Sequence, residues 1–265
     1  MTLDVLTSGD QQEASSDSSV LHPVALRGPM NPNVAPDGAD PSVWGPDVAS
    51  RHIRDRLRLA DTVDNGGMGR DADETGAGRI GDVFLAVPRS EFLPKTLRRY
   101  ADVDAALPLG DGPTCSQPST VREMLILLDV RPGQRVLDVG SGSGWTTGLL
   151  SRLASPGGEV IGVELEPRLV DSSRRALARI PGLGPWRVEI AEPGVLGLPS
   201  AGPYDRILVS ADARARVPSS LAAQLSDGGL LVVPVDGVMT RVRRSGDHLK
   251  VSHHGQYAFV PLQES

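Results

Sequence analysis

Arg135-Val-Leu-Asp-Val-Gly-Ser-Gly-Ser-Gly-Trp145 is the stretch that decides the fold of this 265-residue chain. Residues 135–139 form a short apolar, β-branched run, the pattern of a strand buried in a parallel sheet. Glycines follow at Gly140, Gly142 and Gly144, where a backbone without Cβ turns tightly with positive φ and admits a ligand closely. From Trp145 to Ala154 the apolar side chains recur at helical spacing, so the loop opens a helix whose first N–H groups lack intrahelical partners. Strand, glycine loop and helix in this order make a nucleotide-binding start. The competing reading is a tight strand-to-helix turn with no ligand.

The loop chemistry narrows the nucleotide. A dinucleotide fingerprint carries its third glycine one place later, where this chain has Trp145. The Gly-Lys-Ser/Thr of a phosphate-binding loop is missing, which argues against a triphosphate. Asp138, near the end of the strand, would repel phosphate but suits a ligand bearing an ammonium or sulfonium group. The pattern apolar-apolar-Asp-apolar-Gly-x-Gly-x-Gly resembles motif I of class I methyltransferases, and that resemblance implies S-adenosylmethionine as cofactor.

Downstream, strand and helix patterns alternate. Strands are expected over 159–164, 187–192, 204–210 and 230–235, and helices over 145–154, 167–180 and 218–225, with Gly228-Gly229 breaking the last. Residues 239–243 and 249–252 read as a hairpin, and 257–262 as a final strand. The expected fold is α/β: a doubly wound, mostly parallel Rossmann-like sheet, helices on both faces, with a C-terminal antiparallel hairpin. Ligands in such folds sit beyond the carboxyl ends of the strands. Glu164 ends the second strand, where a carboxylate can accept both hydroxyls of a ribose; an exposed acid is the plainer alternative. Glu192 ends the third, where an adenine amino group would lie. Asp138 would act through its charge or by accepting loop N–H groups.

Upstream the pattern weakens. Residues 1–50 mix Ser, Asp, Gly and Pro and are expected to be a disordered tail. Residues 51–79 read as an amphipathic helix over 51–63 plus a flexible, glycine-rich insertion whose acids lack calcium-loop spacing. The domain proper is expected over 80–265. Ile80, Val83, Phe84 and Val87 fall at helical spacing before Pro88, and Val121, Met124, Leu125 and Leu128 mark a helix over 119–129.

Composition excludes some partners. Hydrophobic residues make up 39% and aromatics 3%, so the core is aliphatic. A net charge of −6 offers no footprint for nucleic acid or an anionic membrane. No apolar run reaches membrane-span length and no signal segment is evident. The single cysteine, Cys115, excludes an intramolecular disulfide and fits a reducing compartment, so a cytoplasmic location is expected. His253-His254 has no further ligands around it in sequence, and no metal is expected.

Several segments together resemble protein-L-isoaspartate O-methyltransferases, from about Ile80 to Leu262. They are Ala86-Val-Pro-Arg-Ser-Glu-Phe-Leu-Pro94, Tyr100-Ala-Asp102, Leu107-Pro-Leu-Gly110 and Gly112-Pro-Thr-Cys-Ser-Gln-Pro118. To these are added the glycine stretch, Pro203-Tyr-Asp-Arg-Ile207, Gln224-Leu-Ser-Asp-Gly-Gly-Leu-Leu-Val-Val-Pro234 and Phe259-Val-Pro-Leu262. Motif I is widespread, so the Thr-x-Ser-Gln-Pro segment carries the assignment.

The resemblance implies methyl transfer to the free carboxylate of an isoaspartyl residue in a damaged protein or peptide. It implies Ser116 and Thr114 as active-site residues that also bind substrate, with Gln263 reaching the site from the C-terminus. Cofactor contacts are implied at Cys115, Ser119, Asp138, Gly140, Gly142, Gly144, Glu164, Glu192 and Pro193. A carboxylate is ionised near neutral pH, so no general base is needed and alignment should dominate. All five histidines lie outside 116–247, which argues against a Ser-His-acid hydrolase built on Ser116.

Departures from the family pattern are specific. Ala191-Glu-Pro193 stands for the usual Gly-Asp-Gly, and Pro193 has no N–H to give an adenine. Cys115 stands where Ile is common and reads as an inert apolar replacement. Trp145 replaces a smaller residue and is expected near the methionine end of the cofactor. Two alternatives stay open: a paralogue methylating an aspartate of a biosynthetic peptide, or a non-catalytic cofactor-binding module.

Overall fold

The computed structural model describes residues 76–110 and 112–263. The expectations for the tail over 1–50 and the helix over 51–63 lie outside the described residues. The described chain begins with helix α1, Gly76–Ala86. Gly76 and Gly78 of the expected insertion therefore belong to a helix that starts ahead of Ile80. Tertiary contacts override the weak propensity of its glycines: Ile80, Val83 and Val87 enter the core, and Arg79 Nη2 donates to the carbonyls of Val130 (3.4 Å) and Leu153 (3.2 Å). Two 3₁₀ turns follow, Arg89–Phe92 and Lys95–Tyr100. Then β1, Leu107–Pro108, pairs antiparallel with β2, Thr114–Cys115, and helix α2 covers Pro118–Leu128.

The sheet is built from β3 (Arg135–Val139), β4 (Glu159–Glu164), β5 (Trp186–Ile190), β6 (Tyr204–Val209), β7 (Leu225–Val235), β8 (Val238–Ser245) and β9 (His248–Gln256). Its spatial order is β5-β4-β3-β6-β7-β8-β9, parallel from β5 through β7 and antiparallel thereafter. Helices α3 (Trp145–Ala154), α4 (Pro167–Leu177) and α5 (Ser219–Ala222) and a third 3₁₀ turn, Pro199–Ala201, complete the described elements. Strands run outward one way from β3 to β5 and the other way from β6 to β7. The order reverses between β3 and β6, which makes the crevice there the expected ligand position.

Period-two alternation explains how the sheet takes a core on each face. Val136 packs with side chains of α1, α2, α3 and α4, while Leu137 and Val139 pack on the opposite face with Tyr204, Ile207 and Leu221 of α5. Asp138 shares the face of Val136, and so lies against α3.

Several boundaries differ from expectation for identifiable reasons. Gly228 and Gly229 do not end the preceding helix, which stops at Ala222, but lie inside β7, where the register slips between Tyr204/Leu225 and Arg206/Leu230. Gly228 has φ +75°, and a Cβ on Gly229 would stand 2.8 Å from the Ser226 carbonyl oxygen, so both positions of this bulge require glycine. The third parallel strand stops at Ile190, before Glu192; Pro193 has no N–H to extend a ladder. The segment 257–262 is not a strand; only Pro261 forms a bridge, parallel to Asp212. The hairpin strands are longer than expected, 238–245 and 248–256.

Candidate active site

The three loop glycines have φ of +72°, +54° and +86°, so each adopts the left-handed backbone that side chains avoid. Backbone N–H groups of Gly140 and Ser141 donate to Val163 O at 2.9 and 3.1 Å, pinning the loop to the end of β4. Gly144 caps α3 and cannot be enlarged, since a Cβ there would stand 2.8 Å from Ser173 Cβ. Gly142 faces openness, with nothing nearer its Cβ position than Leu109 Cδ1 at 3.8 Å.

Asp138 is fully buried and is held by α3 rather than by the loop. The hydroxyls of Thr146 and Thr147 each donate to its Oδ2 at 2.7 Å. Burial pushes its carboxyl up to about 6, against the pull of the Thr147 and Thr146 hydroxyls, with the nearby Glu164 charge adding to the rise. Its other oxygen, Oδ1, has no hydrogen-bond partner among the described residues, and neither do the buried hydroxyls of Ser141 and Ser210. All three orphans lie around the carboxyl ends of β3 and β6: Ser210 N–H donates to Val139 O at 2.9 Å, and a Cβ on Gly140 would lie 4.0 Å from the Ser210 carbonyl carbon.

Glu164, at the end of β4, spans the loop and the start of α4. Its Oε2 accepts Gly142 N–H at 2.9 Å and its Oε1 accepts Glu166 N–H at 3.0 Å. Each oxygen keeps lone-pair capacity for a ligand hydroxyl. Glu192 and Pro193 are exposed, beyond β5; Ala191 N–H donates to Glu164 O at 2.8 Å and ties that loop's start to the same rim.

The segment carrying Thr114 and Ser116 docks on the glycine loop through the residue between them. Ser143 Oγ donates to Cys115 Sγ at 3.8 Å, and Cys115 is 3% exposed. Thr114 is exposed and Ser116 half-buried, and the hydroxyl of neither is engaged within the described protein. Asp104 holds the far end of this segment, its Oδ1 accepting Ser119 N–H at 2.9 Å and its Oδ2 accepting Gln117 Nε2 at 3.2 Å. Arg89 holds the near end through the carbonyls of Cys115 and Ser116, both at 2.9 Å. Sequence reasoning gave Arg89 and Asp104 no role. Their only signal is a lone cation in an otherwise apolar Val-Pro-Arg stretch and an acid shortly before the Ser-Gln-Pro run.

Trp145 is buried at the start of α3. Its ring meets Phe84 edge-on at 5.4 Å, the Arg89 guanidinium lies 5.4 Å from its centroid, and its Nε1 donates to Val87 O at 3.0 Å. The expectation that it stands by the cofactor is replaced by a packing role between α1 and α3.

Asp212, also unremarked in sequence, organises the rim beyond β6. Its carboxylate accepts the N–H groups of Asp236 (2.9 Å) and Gly237 (2.8 Å), and its backbone exchanges bonds with Val260 and Leu262, each at 2.8 Å. Gln263, exposed, follows this tie directly, which brings the C-terminal segment to the end of β6. No group of three or more metal-ligating side chains occurs among the described residues.

The donor set suits S-adenosylmethionine. An open glycine cradle, a carboxylate with lone pairs free at the β4 end and an unpartnered Asp138 oxygen together match a ligand with ribose hydroxyls and cationic groups.

A model described as protein-L-isoaspartate(D-aspartate) O-methyltransferase matches residues 71–265. The chain belongs to this family. Among its relatives, a protein-L-isoaspartate O-methyltransferase of Methanopyrus kandleri is 43% identical over 189 residues, covering 69% of this chain and 83% of that protein. One from Anaeromyxobacter dehalogenans is 42% identical over 190 residues, covering 69% and 88%. A solved Plasmodium falciparum structure, described as a beta-aspartate methyltransferase in complex with S-adenosyl-L-homocysteine, superposes with a TM-score of 0.65. It is 20% identical and covers 82% of this chain and 99% of that one, a likeness of fold. No described helix is long and apolar enough to cross a membrane.

Proposed function

We propose that the crevice between β3 and β6 carries out the reaction of the family. A methyl group passes from S-adenosylmethionine to the free carboxylate of an L-isoaspartyl residue in a damaged protein or peptide. The ester then loses methanol as the following backbone nitrogen closes a succinimide, whose hydrolysis partly restores aspartate. The observation that carries the site assignment is the docking of the Thr114–Ser116 segment on the glycine loop through Cys115 and Ser143.

S-adenosylmethionine supplies a methyl group made electrophilic by its sulfonium. The protein's part is to hold and orient. Gly140, Gly142 and Gly144 give the cradle, Glu164 takes ribose hydroxyls, and Asp138 faces the cationic end. Ser116 and Thr114, whose hydroxyls engage no partner among the described residues, hold the substrate carboxylate, with Gln263 contributing from the C-terminal side. Because that carboxylate is already ionised near neutral pH, the chain needs no general base. Alignment of oxygen, methyl carbon and sulfur in a near-linear approach then does most of the work. Damaged proteins and peptides are its substrates. Cytoplasmic residence belongs to the same proposal, since the only cysteine is buried and forms no disulfide.

The deciding experiment presents the protein with S-adenosylmethionine and either an isoaspartyl peptide or its normal aspartyl twin. The expected result is a methyl ester on the isoaspartyl peptide alone, followed by methanol release. Methylation of the aspartyl twin instead would overturn the repair reading in favour of peptide biosynthesis.

A further inference from the structure

Arg89 is 5% exposed, and no carboxylate pairs with it among the described residues. Its fork is bonded to backbone carbonyls: Nη1 donates to Ala101 O (3.3 Å) and Val103 O (3.0 Å). Nη2 donates to Ala105 O (2.8 Å), Cys115 O (2.9 Å) and Ser116 O (2.9 Å), while Nε donates to Cys115 Sγ at 3.5 Å. A buried guanidinium without a counter-ion is costly, because neutral carbonyls replace only part of its lost hydration. An apolar side chain of similar size would spare the charge but leave the carbonyls of Ala101, Val103, Ala105, Cys115 and Ser116 without this donor.

The two Nη2 contacts at Cys115 and Ser116 matter most. The Cys115 carbonyl shares its peptide unit with Ser116 N–H, and the Ser116 carbonyl shares its unit with Gln117 N–H. Both units are trans, since the cis bonds are at Ser155-Pro156 and Gly202-Pro203. In a trans peptide the N–H points opposite to the C=O. With the carbonyls turned toward Arg89, the N–H groups of Ser116 and Gln117 face away from it, and no hydrogen bond engages either among the described residues. A cation bonded to a carbonyl oxygen polarises the unit and makes its N–H a stronger donor.

We propose that Arg89 is a positioning residue for the substrate carboxylate, orienting and polarising the Ser116 and Gln117 N–H groups so that they receive it. The positive charge stays buried behind the segment and supplies the counter-charge of the incoming anion through two peptide units. Asp104 fixes the other end of the same segment through Ser119 and Gln117, so the pair of N–H groups is held from both sides. The proposal rests on the methyl-transfer reading of the site.

The test compares wild type with Arg89→Lys and Arg89→Met. Arg89→Lys keeps the charge but cannot span the same carbonyls. Initial rates are measured against an isoaspartyl peptide, cofactor affinity by calorimetry with S-adenosylmethionine, and folding by thermal melts. The expected result for Arg89→Lys is a KM for the peptide raised about tenfold, with cofactor affinity within about twofold of wild type. Arg89→Met should raise that KM further; if it fails to fold, Arg89→Lys decides alone. Equal losses of peptide and cofactor binding in Arg89→Lys would reduce Arg89 to a scaffold and overturn the proposal, as would no change in either. A wild-type protein inactive on the peptide would instead sink the functional reading itself.

Discussion

The Ser143 hydroxyl donates to the Cys115 sulfur across 3.8 Å, so the strand that bears Thr114 rests on the glycine loop after β3. The sulfur is a buried packing group, and nothing in the proposed reaction calls for a thiolate. Cys115→Ala should therefore keep methyl transfer within a few-fold of wild type, while losing about 1–2 kcal/mol of stability to the cavity it leaves. Initial rates and chemical denaturation check both halves. A hundredfold drop in rate would make the sulfur a participant.

Ser116 has a different expectation, because its hydroxyl engages no partner among the described residues and the proposed reaction gives it the substrate carboxylate. Ser116→Ala should lower kcat/KM for an isoaspartyl peptide roughly 10- to 100-fold, the range for losing a hydrogen bond to a charged group. Cofactor affinity measured by calorimetry should survive within about twofold. Equal activity in mutant and wild type would refute the role.

Asp138 predicts a pH dependence. Burial holds its carboxyl up at about 6, so a cationic ligand must favour loss of that proton. Affinity for S-adenosylmethionine should rise as pH climbs through about 6 and level off above it, with proton release on binding. The free protein should behave oppositely. Its native state holds the proton more tightly than the unfolded chain, whose carboxyl titrates at 3.8, so this contribution to stability is full below that value and is lost as pH rises through about 6. Asp138→Asn should flatten both curves; calorimetry and denaturation across this range are the measurements.

The glycines divide by their surroundings. Gly142→Ala meets open space and should cost about 1–2 kcal/mol, the strain of a left-handed alanine. Gly144→Ala adds a clash with the Ser173 backbone side of α4 at 2.8–3.3 Å and should cost several kcal/mol or prevent folding. Denaturant midpoints of the two variants check the difference. Equal costs would show that α4 moves freely to accommodate the methyl group.

Much of this was legible in the sequence where local chemistry is strong. The glycine triplet has one backbone solution, and the buried β3 run with a helix behind it has one parallel-sheet reading. Local signals failed where long-range partners decide. Gly228-Gly229 looks like a break from the chain alone, yet pairing with Tyr204 and Arg206 turns it into a bulge. The glycines ahead of Ile80 look flexible, yet Arg79 and the core side chains hold them in a helix. Trp145 looks like a cofactor neighbour by position, yet Phe84 and Arg89 claim its ring.

The sequence by itself determined the sheet, the cradle and the acids at 138 and 164, because backbone freedom at glycine and alternation along a buried strand are properties of neighbouring residues. Only the tertiary structure decided that Arg89 and Asp104 hold the Thr114–Ser116 segment, that Asp212 ties the end of β6 to the turn at Gly237, and that Asp138 is bound by Thr146 and Thr147 rather than by the loop. Their partners are carbonyls, N–H groups and hydroxyls supplied by other parts of the fold. A hydrogen bond to backbone leaves no pattern in residue type, so it becomes visible only once the chain has folded.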